Sequence, residues 1–264
     1  MSSYTLDNSY RQASYRLSLL EQHLDPMTQR RIKMLNLGQG SRCLEIGAGN
    51  GSIAKWLCRH VGASGSVVAT DINTTLLNHI ELPNLEVWEH DILKSELPDS
   101  SFDFIHARWV LYHLPSNLEY VIQRMINALR PSGILLLEDI DFFPINTSPS
   151  VVYREFMTAL ANSMATSSGR DGFCMRNLPE VIATTELTQV GGEGDLPVIQ
   201  GGGAAAKFVE LTAKQIREKM LTGSSLSLDR FEQGLQLLNS PDFWAFGAAN
   251  IAVWGRKNIN TLHA

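Results

Sequence analysis

The 264-residue sequence has few cysteines, and their number and spacing exclude some kinds of protein at once. Cys43, Cys58 and Cys174 make an odd count, and no two of them stand at the spacing of a metal-binding pair. This pattern favours reduced, buried thiols in a cytoplasmic protein over a disulfide framework. We therefore predict no metal site.

Long apolar runs and an excess of positive charge are also missing. The longest apolar stretches, such as Ile134 to Leu137, are too short to span a bilayer, and the polar start Met1 to Thr5 lacks the apolar core of a signal peptide. The net charge of −5 and the pI near 5.8 argue against a basic nucleic-acid surface, without excluding an RNA or protein substrate. We expect a soluble protein that binds neither nucleic acid nor membrane.

The sequence does contain enough apolar material for a full core, at 44% hydrophobic residues. Between residues 41 and 140, short apolar runs typical of strands alternate with segments of helical periodicity. This alternation predicts an α/β domain with a parallel sheet and helices on both sides. The predicted strands are 41–46, 66–71, 84–88, 101–108 and 134–137.

The two ends of the chain follow a different pattern. In residues 1–40, leucines recur at helical spacing, and Asp25-Pro26 predicts the start of a second helix that ends at Gly38. From about residue 142 helices dominate. Within the α/β part, Leu76, Leu77 and Ile80 predict a further helix. In the later part we expect loops at 169–172 and 201–203 and a strand at 187–190 that the glycines of 191–195 interrupt. The last predicted strand covers 243–255, with a bulge at Gly247.

The segment from Cys43 to Ser52 is the most informative, because a strand, a glycine-rich turn and a helix start follow one another within it. Glycines at alternate positions let a ligand lie against bare N–H groups, and a helix N-terminus favours a carboxylate or phosphate. The dinucleotide fingerprint needs a glycine where Ser52 stands. The acid Glu45 would repel a pyrophosphate, whereas it suits a ligand with an ammonium group. A purely structural turn is the alternative.

A second acid, Asp71, ends the second predicted strand, twenty residues after Gly51. An acid at this point can accept hydrogen bonds from both hydroxyls of a ribose, in a geometry that dinucleotide folds share. Asp71 therefore predicts an adenosine-containing ligand without choosing which one.

The stretch from Glu45 to Gly51, with glycine at every second position from Gly47, resembles the first motif of the class I S-adenosylmethionine (SAM) methyltransferases. Asp71, the pair Asp91-Ile92 and the segment 102–115 stand at the further motif positions of that family. The likeness is strong over residues 41–140. The outer parts are similar to the bacterial small-molecule branch that acts on natural products.

The resemblance implies a fold and a domain organisation. The fold is a Rossmann-like three-layer α/β sandwich with a seven-stranded sheet of order 3-2-1-4-5-7-6, in which strand 7 is antiparallel, and with helical lid additions. We expect an N-terminal helical lid over residues 1–40. The methyltransferase domain would then cover 41–264, with helical insertions at about 142–185 and 204–239.

The resemblance also implies SAM as the cofactor and a set of residues that bind it. The glycine turn would hold the methionine arm, and two acids with their neighbours would bind the ribose and the adenine. Arg108 would border the sulfonium region, and residues of the lid would cover the cofactor from outside. These residues are Glu45, Gly47, Ala48, Gly49, Gly51, Asp71, Ile72, Asp91, Ile92, Arg108, Tyr15 and Arg16. The lid residues, together with Tyr10, could equally serve only to pack the first helix.

Two side chains are candidates for proton transfer. His113 lies just beyond the carboxyl end of the fourth strand, where the ligand crevice of such a sheet opens, and could act as a base or fill space beneath the methionine arm. Asp139 is the candidate among the three acids that end the fifth strand, and the other two are expected to be solvated. His106, in mid-strand, is expected to be a core histidine.

The expected reaction is methyl transfer to O, N or C of a small, largely apolar molecule such as a secondary metabolite. The Asn/Asp-Pro-Pro-Tyr motif of nucleobase and glutamine amino-methylating enzymes is absent after the fourth strand. Three alternatives stay open: a quinone-type C-methyltransferase, a SAM-binding cyclase or pericyclase that moves no methyl group, and a non-catalytic subunit. A homodimer is also open. The expected substrate-binding residues are Trp109, Tyr112, Phe142, Phe143, Tyr153 and Phe156.

Overall fold

The computed structural model describes residues 6, 10–114, 118–165 and 173–259. Its helices are α1 (Ala13–Met34), α2 (Ser52–Val61), α3 (Leu118–Ala128), α4 (Val151–Ala165), α5 (Leu178–Ala183), α6 (Ala204–Gln215), α7 (Arg217–Thr222) and α8 (Leu228–Asn239). Its strands are β1 (Arg42–Ile46), β2 (Ser66–Asp71), β3 (Leu85–Glu89), β4 (Phe102–Arg108), β5 (Leu129–Asp141), β6 (Thr188–Asp195), β7 (Val198–Gln200), β8 (Trp244–Phe246) and β9 (Ala249–Arg256). The start Met1 to Thr5, Pro115, the loop at 169–172 and the side chain of Cys174 lie outside the described residues.

Seven strands form one sheet in the order β3-β2-β1-β4-β5-β9-β6. Strand β9 runs antiparallel to both of its neighbours, β5 and β6, and the pairs among β1 to β5 are parallel. Because β9 takes the place of the predicted strand 7, the expected order and the single antiparallel strand are confirmed. In the described ranges, no helix has the length and apolarity needed to cross a membrane.

The central strands are buried on both faces, because alternate side chains point into two separate apolar cores. Cys43, Phe104 and Leu136 face the core beneath α2. Leu44, Ile105 and Leu137 face the larger core, which includes α3 and α4. The sheet is therefore the middle layer of three, as expected for this fold. Cys43 and Cys58 are buried thiols.

The first helix differs from its prediction, because α1 runs unbroken from Ala13 to Met34 with Pro26 inside it. The Asp-Pro pair was expected to start a new helix, and Gly38 was expected to end it. An interior proline removes one backbone hydrogen bond and favours a break. Here the side chains on either side of Pro26 are anchored to the sheet, as described below, and this tertiary anchoring outweighs the local preference.

The predicted interruption of the sixth strand is wrong, since β6 continues through its glycines to Asp195. A Cβ atom at Gly191 would lie 2.7 Å from the indole nitrogen of Trp254 on the neighbouring strand. The glycine is therefore needed for the close approach of a tryptophan across the sheet, and it does not mark a loop.

The predicted last strand is in fact two strands that belong to different sheets. Residues 244–246 form β8, which pairs with β7 in a two-stranded sheet, and β9 begins at Ala249. Gly247 lies between the two strands, and no bulge is needed there. Two further boundaries differ: residues 74–76 form only a short 3-10 turn, and β5 begins at Leu129, before an irregularity in its pairing with β4.

Candidate active site

The turn after β1 places three glycines in the left-handed region, with φ values of +68° at Gly47, +56° at Gly49 and +76° at Gly51. Helix α2 starts directly afterwards, and its N-cap is Gly51. Side chains other than glycine rarely adopt this conformation. The sequence therefore forms a bare backbone cradle at the N-terminus of a helix, at the carboxyl end of a central strand.

Asp71 closes β2 beside this turn. Its Oδ2 accepts a hydrogen bond from the Gly49 N–H at 3.0 Å, and its Oδ1 accepts one from the Asn73 N–H at 3.1 Å. Burial raises the pKa of Asp71, against the lowering effect of these donors. The first two predicted motifs therefore meet in space, and Ile72 beside them is exposed.

Asp91 follows β3, the strand next to β2. The N–H of His90 donates to the carbonyl of Asp71 at 2.9 Å, which brings the two acidic loops together. Burial alone would raise the pKa of Asp91, but hydrogen bonds from Lys94 and from the Leu93 N–H outweigh burial and lower it. Ile92 is buried beside them. The predicted ribose and adenine positions thus lie on one edge of the sheet.

A chain of buried charges links Glu45 to β4 and β5. His106 Nδ1 lies 2.7 Å from Glu45 Oε2, and His106 Nε2 lies 3.0 Å from Glu138 Oε2. Burial alone would lower the pKa of His106, but the two carboxylates outweigh it and raise the pKa to about 9. Burial would raise the pKa of Glu138, yet its partners lower it to about 2. His106 is thus a core residue, as expected, and it carries a charge.

Helix α1 is bound to this chain of charges. Thr28 and Arg31 both donate to Glu138, and Arg31 also reaches Glu193 and Asp195 on β6. We call these residues, with Glu45 and His106, the buried charge cluster. The carboxyl-terminal half of α1 is therefore fixed across the sheet by the ion pairs of the buried Arg31, one to the buried Glu138 and two to the partly exposed Glu193 and Asp195.

Arg108 joins the same helix. Its guanidinium donates to Thr28 Oγ1 at 3.0 Å and to Asp25 Oδ1 at 2.9 Å. Asp25 also accepts a hydrogen bond from Ser52 Oγ at 3.0 Å, at the start of α2. The predicted sulfonium-side residue thus connects α1 with the glycine turn.

The three acids at the end of β5 are all buried, which corrects the expectation that two of them are solvated. Glu138, Asp139 and Asp141 are 1%, 0% and 0% exposed. Asp139 accepts from the N–H groups of Tyr112 and Ile140, so it holds the segment after β4 against β5. Because Asp139 is also completely buried, the structure gives this predicted catalytic residue a positioning role. Asp141 accepts from the Phe143 N–H at 2.6 Å and pairs with Arg176.

The raised pKa of His106 predicts a pH-dependent stability. Because the folded-state pKa of about 9 lies above the ordinary value of about 6.5, this stabilisation is complete below pH 6.5 and is lost as the pH rises through 9. We expect the free energy of unfolding to fall by ~3 kcal/mol over that window. Urea unfolding at a series of pH values measures it. His106→Gln, as the control, should show a much flatter profile, and parallel profiles for the two proteins would contradict the charge assignment.

An apolar cavity of about 60 Å³ lies between α1, α4, α6 and the strand ends of the sheet. Two of the predicted substrate-binding residues, Trp109 and Phe142, line it. Trp109 has a φ of +56°, which is an outlier for a bulky residue. The full lining is Leu19, Leu20, His23, Leu24, Trp109, Ile140, Phe142, Met157, Leu160, Met164, Pro197, Ile199, Ala205, Phe208, Val209, Thr212, Gly247, Ala248 and Asn250.

Four other predicted substrate-binding residues lie elsewhere. Tyr112 and Tyr153 are buried behind the wall, with their hydroxyls donated to the carbonyls of Ala161 and Phe246. Phe156 packs on Phe231, and Phe143 is exposed. Tyr112, Tyr153 and Phe156 are part of the core around the cavity, whereas on α4 the cavity meets Met157, Leu160 and Met164.

Sequence reasoning missed His23 and Asn250, the polar side chains of the wall that come from α1 and β9. The leucines around His23 show helical spacing, but nothing in the sequence marks the histidine itself as a site residue. Asn250 stands at the start of a strand, more than 200 residues away from His23. Only the fold brings the two residues to one cavity.

The remaining predicted residues separate into buried and exposed ones. Burial, reinforced by the nearby charge of Arg16, lowers the pKa of His113 to about 4, so this imidazole is neutral at pH 7. The guanidinium of Arg16 lies 5.8 Å from the ring centre of Phe208. Tyr10 and Tyr15 are exposed. The structure therefore brings Arg16 and His113 together and leaves the two tyrosines on the outside.

Comparison with protein families decides the assignment. A model of the methyltransferase domain matches residues 15–165, which is more than half of the chain. The chain belongs to the class I SAM-dependent methyltransferases. The match includes most of α1, the glycine turn, both acidic loops and α4.

Individual relatives of this methyltransferase agree with the family. Methyltransferase str2 of Strobilurus tenacellus is 33% identical over 170 residues, covering 62% of this chain and 60% of the relative. The ubiquinone/menaquinone biosynthesis C-methyltransferase UbiE of Pseudomonas fluorescens is 30% identical over 159 residues, covering 57% and 61%. The alignments thus span about three fifths of these two relatives.

Solved structures share the fold of this methyltransferase. The phosphoethanolamine N-methyltransferase 2 of Haemonchus contortus, in complex with SAM, has a TM-score of 0.63 at 15% identity, over 98% of this chain and 60% of that one. The YcgJ protein from Bacillus subtilis has a TM-score of 0.59 at 17% identity, over 87% and 97%. At such identities the likeness concerns the fold alone.

The glycine turn of this methyltransferase is restricted to bare backbone. A Cβ at Gly47 would lie 2.4 Å from Val110 Cγ2, and one at Gly51 would lie 2.6 Å from Ile80 Cδ1, so only bare backbone is tolerated there. Glu45 binds His106 through Oε2, while its Oε1 receives no hydrogen bond from the described residues. This arrangement is compatible with the predicted roles of Glu45 towards the ammonium group and of Asp71 towards the ribose.

Proposed function

We propose that this chain transfers a methyl group from SAM to a small, largely apolar molecule bound in the cavity. The adjacency of turn and cavity carries the proposal. Val110 packs against Gly47, and Trp109, next to it in the chain, lines the cavity. On α1, Leu17 lies over Gly49, and Leu20 and Leu24 line the cavity. Helix α1 and the segment after β4 therefore border both the glycine turn and the cavity.

The chain's own residues would bind and orient the cofactor. Glu45 would accept from the ammonium group, the turn from Gly47 to Gly51 would hold the methionine arm, and Asp71 and Asp91 would accept from ribose and adenine. SAM supplies a methyl group on a sulfonium, which is already an electrophile. The protein therefore has mainly to align the acceptor and exclude water, and a base helps chiefly where the acceptor is a hydroxyl group.

Helix α1 is the proposed cover of this site. Its buried face carries Arg16 and the leucines that meet the turn and the cavity, and its later half is fixed by the buried charge cluster. The apolar wall would keep water away from the methyl group. The division into a lid over residues 1–40 and a domain over 41–264, a cytoplasmic location, a homodimer and a natural-product acceptor stay predictions of the sequence.

Methylation of a quinone ring carbon is the second candidate function. Its support is the Pseudomonas fluorescens relative, a ubiquinone/menaquinone biosynthesis C-methyltransferase with 30% identity over 159 residues. An apolar cavity with few polar groups also suits such a ring. A cyclase that moves no methyl group and a non-catalytic subunit have no comparable support.

Release of S-adenosylhomocysteine, measured against panels of phenols, amines and quinones, tests the proposal. We expect release with at least one apolar acceptor and a product heavier by one methyl group. Conversion without a change in mass would instead indicate a cyclase. Activity only after addition of a second chain would indicate a subunit, and release with quinones alone would favour the ring-carbon reaction.

A further inference from the structure

Two polar side chains on the cavity wall have a buried atom without a hydrogen-bond partner among the described residues. They are His23, through Nε2, and Asn250, through Nδ2. Asn250 is only 2% exposed. A buried polar atom that loses its water without gaining a partner costs about 1–3 kcal/mol, so native proteins leave few of them. Two on one cavity wall indicate a polar group that the cavity receives.

The orientation of the Asn250 amide is fixed by its neighbour. The indole Nε1–H of Trp109 lies 2.9 Å from Asn250 Oδ1. Because an indole nitrogen can only donate, the amide oxygen must face Trp109 and the amide nitrogen must face away from it. Asn250 therefore presents a hydrogen-bond donor to the cavity, and Trp109 holds it in place.

His23 can provide a hydrogen-bond acceptor beside the donor of Asn250. It lies on α1 among three leucines of the same wall, Leu19, Leu20 and Leu24. Burial lowers its pKa below the ordinary value of histidine, so the ring is neutral at pH 7. A neutral imidazole has one lone pair that can accept a proton and one N–H that can donate.

We propose that His23 and Asn250 form the polar contacts of the acceptor pocket, that the acceptor is an apolar ring compound with a hydroxyl group, and that His23 takes the hydroxyl proton. This inference rests on the proposed function and narrows it to O-methylation of a phenol or enol. Every other side chain on the wall is apolar except Thr212, whose hydroxyl donates to the carbonyl of Phe208 at 2.8 Å.

The proposed step balances in atoms and charge. The acceptor oxygen forms a bond to the methyl carbon while the bond from that carbon to sulfur breaks, and the sulfur keeps the electron pair of that bond. The hydroxyl proton passes to Nε2 of His23. The products are a neutral methyl ether, S-adenosylhomocysteine and a protonated His23, which returns its proton to solvent.

The size of the cavity indicates how such a ring fits. At about 60 Å³ the cavity is smaller than an engineered cavity of about 150 Å³ that binds benzene. Met157 and Met164 are part of the wall, and methionine side chains change shape easily. We therefore expect single-ring acceptors to enter with movement of these two side chains.

Binding of phenol is compared with binding of toluene, which has nearly the same shape but no hydroxyl. Calorimetric or ligand-observed NMR titration uses the full chain with S-adenosylhomocysteine present. We expect phenol to bind about tenfold tighter than toluene, because its hydroxyl satisfies groups that toluene leaves without a partner. His23→Leu and Asn250→Leu should each reduce the ratio of the toluene to the phenol dissociation constant towards one. His79→Leu, an exposed histidine outside the cavity, should leave it unchanged.

A conservative variant separates recognition from proton transfer. His23→Gln keeps a hydrogen-bonding group but cannot take up the proton. We expect it to retain the preference for phenol. With the most active phenol of the acceptor panel, its kcat should fall by about a hundredfold or more while KM changes little. Melting temperatures of all variants confirm that they are folded.

Equal binding of phenol and toluene to the unmodified chain would overturn the inference, as would an unchanged ratio in both leucine variants. An unchanged kcat in His23→Gln would overturn the role of His23 as proton acceptor. A preference for phenol without any binding of SAM would leave the polar pocket standing and instead refute methyl transfer. The two proposals therefore fail by different results.

Discussion

Arg31→Ala is expected to lower the free energy of unfolding by about 3–5 kcal/mol, the largest stability effect that the structure predicts. Arg31 is fully buried and binds three carboxylates, those of Glu138, Glu193 and Asp195. Its removal leaves negative charge in the interior with too few positive partners, and α1 loses its main anchor to the sheet. Urea unfolding at pH 7, followed by circular dichroism, measures the change.

The neighbouring residue provides the matched control. Arg30 has a side chain that is 51% exposed and, among the described residues, pairs with Glu193 alone. Arg30→Ala should therefore cost at most about 1 kcal/mol, as exposed pairs do. If Arg31→Ala fails to fold, Arg31→Lys keeps the charge but not the fork that reaches several carboxylates, and should give an intermediate loss. Equal effects of Arg30→Ala and Arg31→Ala would contradict a buried anchor.

Asp71→Ala is expected to weaken SAM binding by about 10- to 100-fold, since the loss of a hydrogen bond to a charged acceptor costs about 1.5–3 kcal/mol. Asp71 stands at the carboxyl end of β2, bound to the N–H of Gly49. The variant removes the proposed acceptor for the ribose and also loosens the glycine turn. Dissociation constants from titration calorimetry measure the effect.

Asp103 is the comparison carboxylate for this experiment. It lies at the opposite end of the sheet, near the start of β4, where it pairs with Arg130 and accepts from the Arg42 N–H. Asp103→Ala should change stability but leave SAM affinity within about twofold, because the site lies at the other edge. A loss of affinity as large in this variant as in Asp71→Ala would show that the effect is not local.

The parts of the fold that could be predicted from sequence are those with local signals. The turn from Gly47 to Gly51 combines chain reversal, a helix start and a strand end within ten residues, and Asp71 closes a buried apolar strand. Such patterns depend on neighbours in sequence. The expected strand order followed from the family resemblance, and the structure confirms it.

The missed features depend on contacts between distant residues. Arg31 meets Glu193 across 162 positions, and Trp109 meets Asn250 across 141. The acids after Leu137 looked exposed because their partners lie on α1, on the segment after β4 and near α5. Gly191 looked like a loop because the tryptophan that needs its space belongs to another strand. Periodicity and composition contain no information about such partners.

Titration of the unmodified chain with SAM tests the central claim most directly. The glycine turn, Asp71 and the free oxygen of Glu45 together predict saturable binding of one SAM per chain, measured as heat in a calorimeter. S-adenosylhomocysteine should compete for the same site. Absence of saturable binding by the folded chain would contradict the cofactor site and the methyl transfer built on it.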